Sequence, residues 1–247
     1  MSITSEEELR ELREVGRIVG RVLKELSAQV KPGVTTKQLD DMAAAIFKQT
    51  GARSAPIMVY DFPGAICISV NDEIVHGIPG PRVIREGDLV KLDVTAEKNG
   101  LMADAAVTVP VAPASDDARR LARCAERAFR KAAEVARARR PVCDIGRAVE
   151  DEVKRSGFSV IRELCGHGIG RTIHEAPSVL NFYDPRVNSR LTEGLVITIE
   201  PIIAAGRGDE VLDKDGWTVR TRDRSLAAHF EHTLVITRDE PILLTAA

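Results

Sequence analysis

The chain has 247 residues, 44% hydrophobic and 29% charged, enough for one large core or two joined halves, which excludes a disordered or fibrous protein. A formal net charge of -2 gives no global argument for nucleic acid, an anionic membrane or an acidic substrate. The start Met1-Ser2-Ile3-Thr4-Ser5-Glu6 is unlike a secretory signal, and no run of about 18 apolar residues is present to span a bilayer. Cys67, Cys124, Cys143 and Cys165 show no Cys-x-x-Cys spacing, so a cytoplasmic protein with reduced thiols is expected.

Thr4 or Ser5 can cap a first helix, whose apolar positions Leu9, Leu12, Ile18, Val19, Val22, Leu23 and Leu26 recur at helical spacing. Lys31-Pro32-Gly33 breaks it, and a second helix is predicted from Thr35 or Thr36 to before Gly51. Strands follow over 66–70 and 88–96, and Asn99-Gly100 turns the latter tightly into 101–109. A long helix is predicted from Ser115 or Asp116 toward Arg139, then a break at Pro141-Val142-Cys143, a helix capped by Asp144, and a stop at Gly157. Strands are expected over 194–199, 218–220 and 230–237, with a turn over 213–216. Helix, proline-led break, helix and strands thus occur twice, which predicts an α+β chain of two related halves, about 1–110 and 111–247.

Asp93 lies in an alternating strand whose Val90, Leu92 and Val94 face a core, leaving the aspartate on the other face. A two-residue turn at Asn99-Gly100 sets Thr95 opposite Asp104 and Asp93 opposite Ala106, so the two carboxylates are diagonal neighbours. Two carboxylates among apolar side chains repel and lose hydration unless a cation joins them; two solvated surface aspartates are the alternative. His167 sits in a glycine-rich turn, Cys165-Gly166-His167-Gly168-Ile169-Gly170, followed by His174-Glu175-Ala176-Pro177. Glu200 ends an apolar strand and Glu231 lies within another. Asp93, Asp104, His167, Glu200 and Glu231 offer four carboxylates and one imidazole, too oxygen-rich for a structural zinc knot and suited to two bridged divalent ions.

His76-Gly77-Ile78-Pro79, Asp93 with Asp104, Gly166-His167-Gly168-Ile169-Gly170, His174-Glu175-x-Pro177, Thr198-Ile199-Glu200-Pro201 and Glu231-His232-Thr233 resemble, in order, the motifs of type I methionine aminopeptidases, over about residues 5–240. That resemblance implies the pita-bread fold, two pseudo-symmetric halves around a dinuclear site in a single catalytic domain spanning 1–247. It implies removal of the first methionine from nascent proteins and peptides, with a small second residue preferred, by two divalent ions (Fe, Mn, Co or Zn). Asp104 and Glu231 are then the bridging ligands, Asp93 a ligand of one ion, and His167 with Glu200 ligands of the other. Glu200 also takes the proton of the attacking water, while His76 and His174 contact the peptide. Tyr60, Phe62, Cys67 and Trp217 match positions of the methionine pocket; for Phe62 and Trp217 plain core packing is the alternative. Tyr60, Ile173 and Ala176 depart from residues common in the family, which bears on specificity and rate. The expected partner of a monomeric chain is a peptide or nascent-chain N-terminus, with ribosome contact left open and no nucleic acid or membrane. A proline-type aminopeptidase on the same scaffold and a non-catalytic peptide- or ribosome-binding protein are the competing readings.

Overall fold

In the computed structural model, which describes residues 1–246 and so leaves only Ala247 of the expected domain outside, the first-half helices form where their caps predict. Helix α1 (Glu6–Ser27) starts at Ser5, whose side chain accepts from the Glu8 N–H, and Glu6, Glu7 and Glu8 occupy the positive end of the helix dipole. Helix α2 (Thr36–Thr50) opens on a reciprocal Thr35–Gln38 capping box and ends at Gly51, whose φ of 67° needs a residue without Cβ strain. A short helix α3 (Ala55–Tyr60) was not expected; six residues carry no full apolar period, and only the Ser54 cap and Pro56 announce it.

The hairpin Leu89–Lys98 and Leu101–Pro110 turns on Asn99 and Gly100, both at positive φ (55° and 81°), as a type I′ turn requires. Its register pairs Thr95 with Asp104 and Asp93 with Ala106, the arrangement that the turn predicts. In the second half, helix α4 (Asp116–Val135) stops short of Arg139, because the Ala138 and Arg139 N–H groups donate to the Thr237 and Leu191 carbonyls instead of continuing the helix. Helix α5 (Cys143–Arg155) is not capped by Asp144: Val142 holds the cap position without a side-chain bond, and Asp144 lies in the first turn, ion-paired with Arg140.

One antiparallel sheet joins the two halves. Its order is Arg53–Ser54, Leu89–Lys98, Leu101–Pro110, Glu231–Val235, Val196–Ile199, Cys165–Gly168 and Glu175–Leu180, with Cys67–Val70 beside Leu89–Lys98 and Ile242–Leu243 beside Glu231–Val235. Leu12, Val19, Val22 and Leu26 of α1 and Leu39 and Ile46 of α2 pack on Val90, Leu92 and Val94 of the hairpin. Leu121, Ala125 and Phe129 of α4 and Ile145 and Val149 of α5 pack on Ile197, Ile199 and Leu234. Each half therefore supplies one helix pair and one set of strands, and the sheet crosses between them where Glu231–Val235 pairs with Leu101–Pro110. Among the described residues no helix is long and apolar enough to cross a membrane.

Candidate metal centre

Strand register alone brings three of the acidic residues into line. Asp93 and Glu231 both lie beside Ala106, from opposite edges of its strand. His232 pairs with Ile199, so the next residues in the antiparallel register, Glu231 and Glu200, come side by side. Two threonines fix the others: the Asp104 N–H donates to Thr233 Oγ1 at 2.8 Å and its carbonyl accepts from the same hydroxyl at 2.7 Å. The His167 N–H donates to Thr198 Oγ1 at 3.1 Å, and that hydroxyl donates to Glu200 Oε1 at 3.3 Å.

The glycine-rich segment around His167 is a strand, Cys165–Gly168, and not the turn that its composition predicts. Its glycines serve close approach between backbones. A Cβ on Gly166 would lie 2.6 Å from the Thr198 carbonyl oxygen, and one on Gly168 only 2.2 Å from that of Ala176. His167 Nδ1 donates to the Gly168 carbonyl at 2.9 Å, which leaves Nε2 with its lone pair free and 3.5 Å from Glu200 Oε1. The face of the Leu89–Lys98 strand that carries Asp93 is itself enclosed: Lys91 is 1% exposed and donates to the carbonyls of Asn71 at 2.7 Å and Ala227 at 3.1 Å.

The electrostatics are those of a site built for cations. Burial, then the neighbouring carboxylates, push the acids of Asp93, Asp104 and Glu200 up, and burial raises Glu231 as well. Burial drives the His167 and His229 imidazoles down to about 4, so both are neutral donors at pH 7. Asp104 Oδ1 and Glu231 Oε1 are buried with no hydrogen-bond partner. Donor atoms of Asp104, His167 and Glu231 lie within 4.8 Å of one another, and so do those of Glu200, His229 and Glu231, with Glu231 common to both sets. Orphaned carboxylate oxygens and neutral imidazoles in two overlapping sets fit a pair of divalent ions, and the mixed oxygen and nitrogen donors suit Fe, Mn, Co or Zn.

His229 is absent from the sequence-predicted set, although it stands two residues before Glu231 and so shares its side of an extended chain. Of the predicted substrate contacts, Tyr60, Cys67, His76 and His174 lie beside the carboxylates or the imidazoles next to them. Tyr60, at the end of α3, brings its Oη to 2.6 Å from His174 Nδ1, and the His174 ring lies 4.3 Å from that of His167. Phe62 is 4% exposed, lies outside the three large apolar clusters and meets Trp217 edge to face at 5.2 Å. Cys67 pairs directly with Asp93 across two strands. His76 has a left-handed backbone, φ 57°, and the protein around it, with His174 and His229 nearby, lowers its imidazole to about 4 although one edge stays exposed. Of the departing residues, Ile173 is buried in the α1–α2 core and Ala176 is exposed.

Comparison with known proteins agrees with this geometry. The model of metallopeptidase family M24 matches residues 10–238. Methionine aminopeptidase 2 of Bacillus subtilis is 44% identical over 247 residues, covering 99% of both chains. The crystal structure of a methionine aminopeptidase from Thermotoga maritima superposes with a TM-score of 0.97 at 34% identity over the full length of both. A prolidase from Pyrococcus furiosus shares the fold at a TM-score of 0.81 and 22% identity, but this chain covers only 65% of it. With two helix-and-strand halves closing on one carboxylate cluster, the chain has the pita-bread fold and belongs to metallopeptidase family M24, among its bacterial-type methionine aminopeptidases.

Proposed function

We propose that the protein removes the N-terminal methionine from peptides and nascent chains by hydrolysis assisted by two divalent ions, acting in the cytoplasm as a monomer and preferring a small second residue. The observation that carries this reading is the convergence of Asp104, His167, Glu200 and Glu231 from both halves into one buried cluster, with half-buried Asp93 beside it on the hairpin and unpartnered carboxylate oxygens at Asp104 and Glu231. Divalent ions bound there supply Lewis-acid polarisation of the scissile carbonyl and activation of water.

The chain's own residues do the rest. Asp93, Asp104, His167, Glu200 and Glu231 would hold the two ions, Asp104 and Glu231 being the carboxylates that the two would share. Glu200 is the carboxylate assigned to accept the proton of the attacking water. His174 donates to the oxygen that gains charge at the carbonyl, and the Tyr60 hydroxyl on its Nδ1 holds the ring in place. His76 contacts the amide beyond the scissile bond. Phe62 and Trp217, which meet edge to face, and Cys67 are the side chains assigned to the unbranched thioether of the substrate; burial and the charges of Asp93 and Asp104 raise the Cys67 thiol, which keeps it neutral.

Profiling release across N-terminal residues, on protein loaded with a single defined metal, tests the reading. Met-Ala-Ser is expected to lose methionine rapidly. Fast release of arginine from Arg-Pro-Pro with no release of methionine would overturn it in favour of a proline-type enzyme.

A further inference from the structure

His229 ends the short strand Ala227–His229, with its backbone locked on both sides: its N–H donates to Thr108 Oγ1 at 2.9 Å and its carbonyl accepts from that hydroxyl at 2.7 Å. The side chain is 2% exposed, and neither ring nitrogen has a hydrogen-bond partner among the described residues. A buried imidazole with two unmet nitrogens is costly, so its retention here calls for a partner. Nε2 points at the carboxylates, 3.4 Å from Glu231 Oε2 and 3.6 Å from Glu200 Oε2.

Those two distances discriminate between roles. Hydrogen bonds from N–H to O cluster at about 2.7–3.2 Å, shorter than either contact. Ligand atoms that share one ion at about 2.0–2.2 Å in tetrahedral array lie about 3.3–3.6 Å apart, which is the spacing found. The same spacing separates His167 Nε2 from Glu200 Oε1, at 3.5 Å.

We propose that His229 is a sixth protein ligand, joining Glu200 and Glu231 on an ion and giving the centre a second imidazole. The proposal rests on the dinuclear reading above and deepens it. A second nitrogen donor tightens the hold on one ion and favours Co, Zn or Fe over Mn, which prefers oxygen.

The test is proton magnetic resonance of the full chain loaded with Co(II), where each coordinated imidazole gives its own strongly shifted exchangeable N–H signal. Two such signals are expected in the wild-type protein and one in His229→Gln (H229Q). Metal titration of H229Q should show a loss of about 10-fold or more in cobalt affinity at one of two sites, with a smaller change for manganese. The wild-type count does not depend on how the variant folds. A wild-type protein that binds two cobalt ions with a single imidazole signal, unchanged in H229Q, overturns the sixth ligand and leaves the dinuclear centre standing. A wild-type protein that takes up no cobalt overturns both.

Discussion

The contact between Tyr60 and His174 couples two exposed side chains, and with the role proposed for His174 their joint placement bears on how a substrate carbonyl is met. Tyr60→Phe removes only the hydroxyl and leaves His174 free to rotate. A fall in kcat of roughly 3- to 10-fold is expected, in line with one hydrogen bond of about 1 kcal/mol, with KM and metal content nearly unchanged. His174→Ala removes the donor itself, and a loss of about 10²- to 10³-fold in kcat with metal retained is expected. Steady-state kinetics beside elemental analysis separates the two effects. Metal lost from H174A would make His174 a ligand and sink the assigned role. Hairpin geometry made Asp93 and Asp104 legible in the sequence, whereas His167, Glu200 and Glu231 were legible chiefly through the ordered motifs that resemble the family. His229 stayed hidden: a lone histidine two positions from a glutamate has no signature until the fold shows its nitrogens unpartnered.

At the scale of elements, the Cys165–Gly168 strand works because it has almost no side chains in the way. Gly168→Ala would drive its Cβ into the Ala176 backbone oxygen, and neither partner is a flexible side-chain end. A destabilisation of about 1–3 kcal/mol is expected by urea titration, with weakened metal binding, since the strand must shift and carries His167 with it. Unchanged stability would mean that the strand pairs more loosely than its register indicates. The segment after this strand depends on Glu175. Burial works against its carboxylate, but the Met1 ammonium and the N–H groups of Thr172 and Arg171 outweigh that and hold it below the usual carboxylate range.

The sign follows from that lowering: the contribution of Glu175 is complete above the unfolded value of about 4.3 and is lost as pH falls through the lower folded value. Hydrogen exchange of residues 170–175 should therefore accelerate below about pH 4, and in Glu175→Gln the same segment should exchange fast already at pH 7. Protection that is equal in the two proteins at pH 7 would dismiss this role. Caps and breaks made α1, α2 and the hairpin readable. Helix α3 is too short for a helical period to mark it, and the start of α5 is set not by an Asp144 cap but by a tertiary hydrogen bond, from the Val142 N–H to the Ser189 carbonyl.

For the whole molecule, the cluster lies at the seam where the strands of one half meet those of the other, so ions bound there tie the halves together. Without them, mutually repelling acids are buried across that seam. Removing metal with a chelator is expected to lower Tm by about 10–20 °C relative to protein held at about 100 times Kd of metal, from a linkage of about 2.7 kcal/mol for each of two ions on a chain of this size. Calorimetry with and without cobalt checks this; an unchanged Tm would mean that the seam is held without ions.

By itself the sequence determined the helices with strong caps and the Asn99-Gly100 hairpin with its register, which sets Asp93 and Asp104 as diagonal neighbours, because these follow from local turn geometry and from periods of two and 3.6 residues. Only the tertiary structure decided which donors meet. Glu231 reaches Asp93 through Ala106, His229 turns its nitrogens on Glu200 and Glu231, and Tyr60 finds His174 across 114 positions of chain. Such meetings depend on how strands from separate halves join one sheet, and no local preference encodes that.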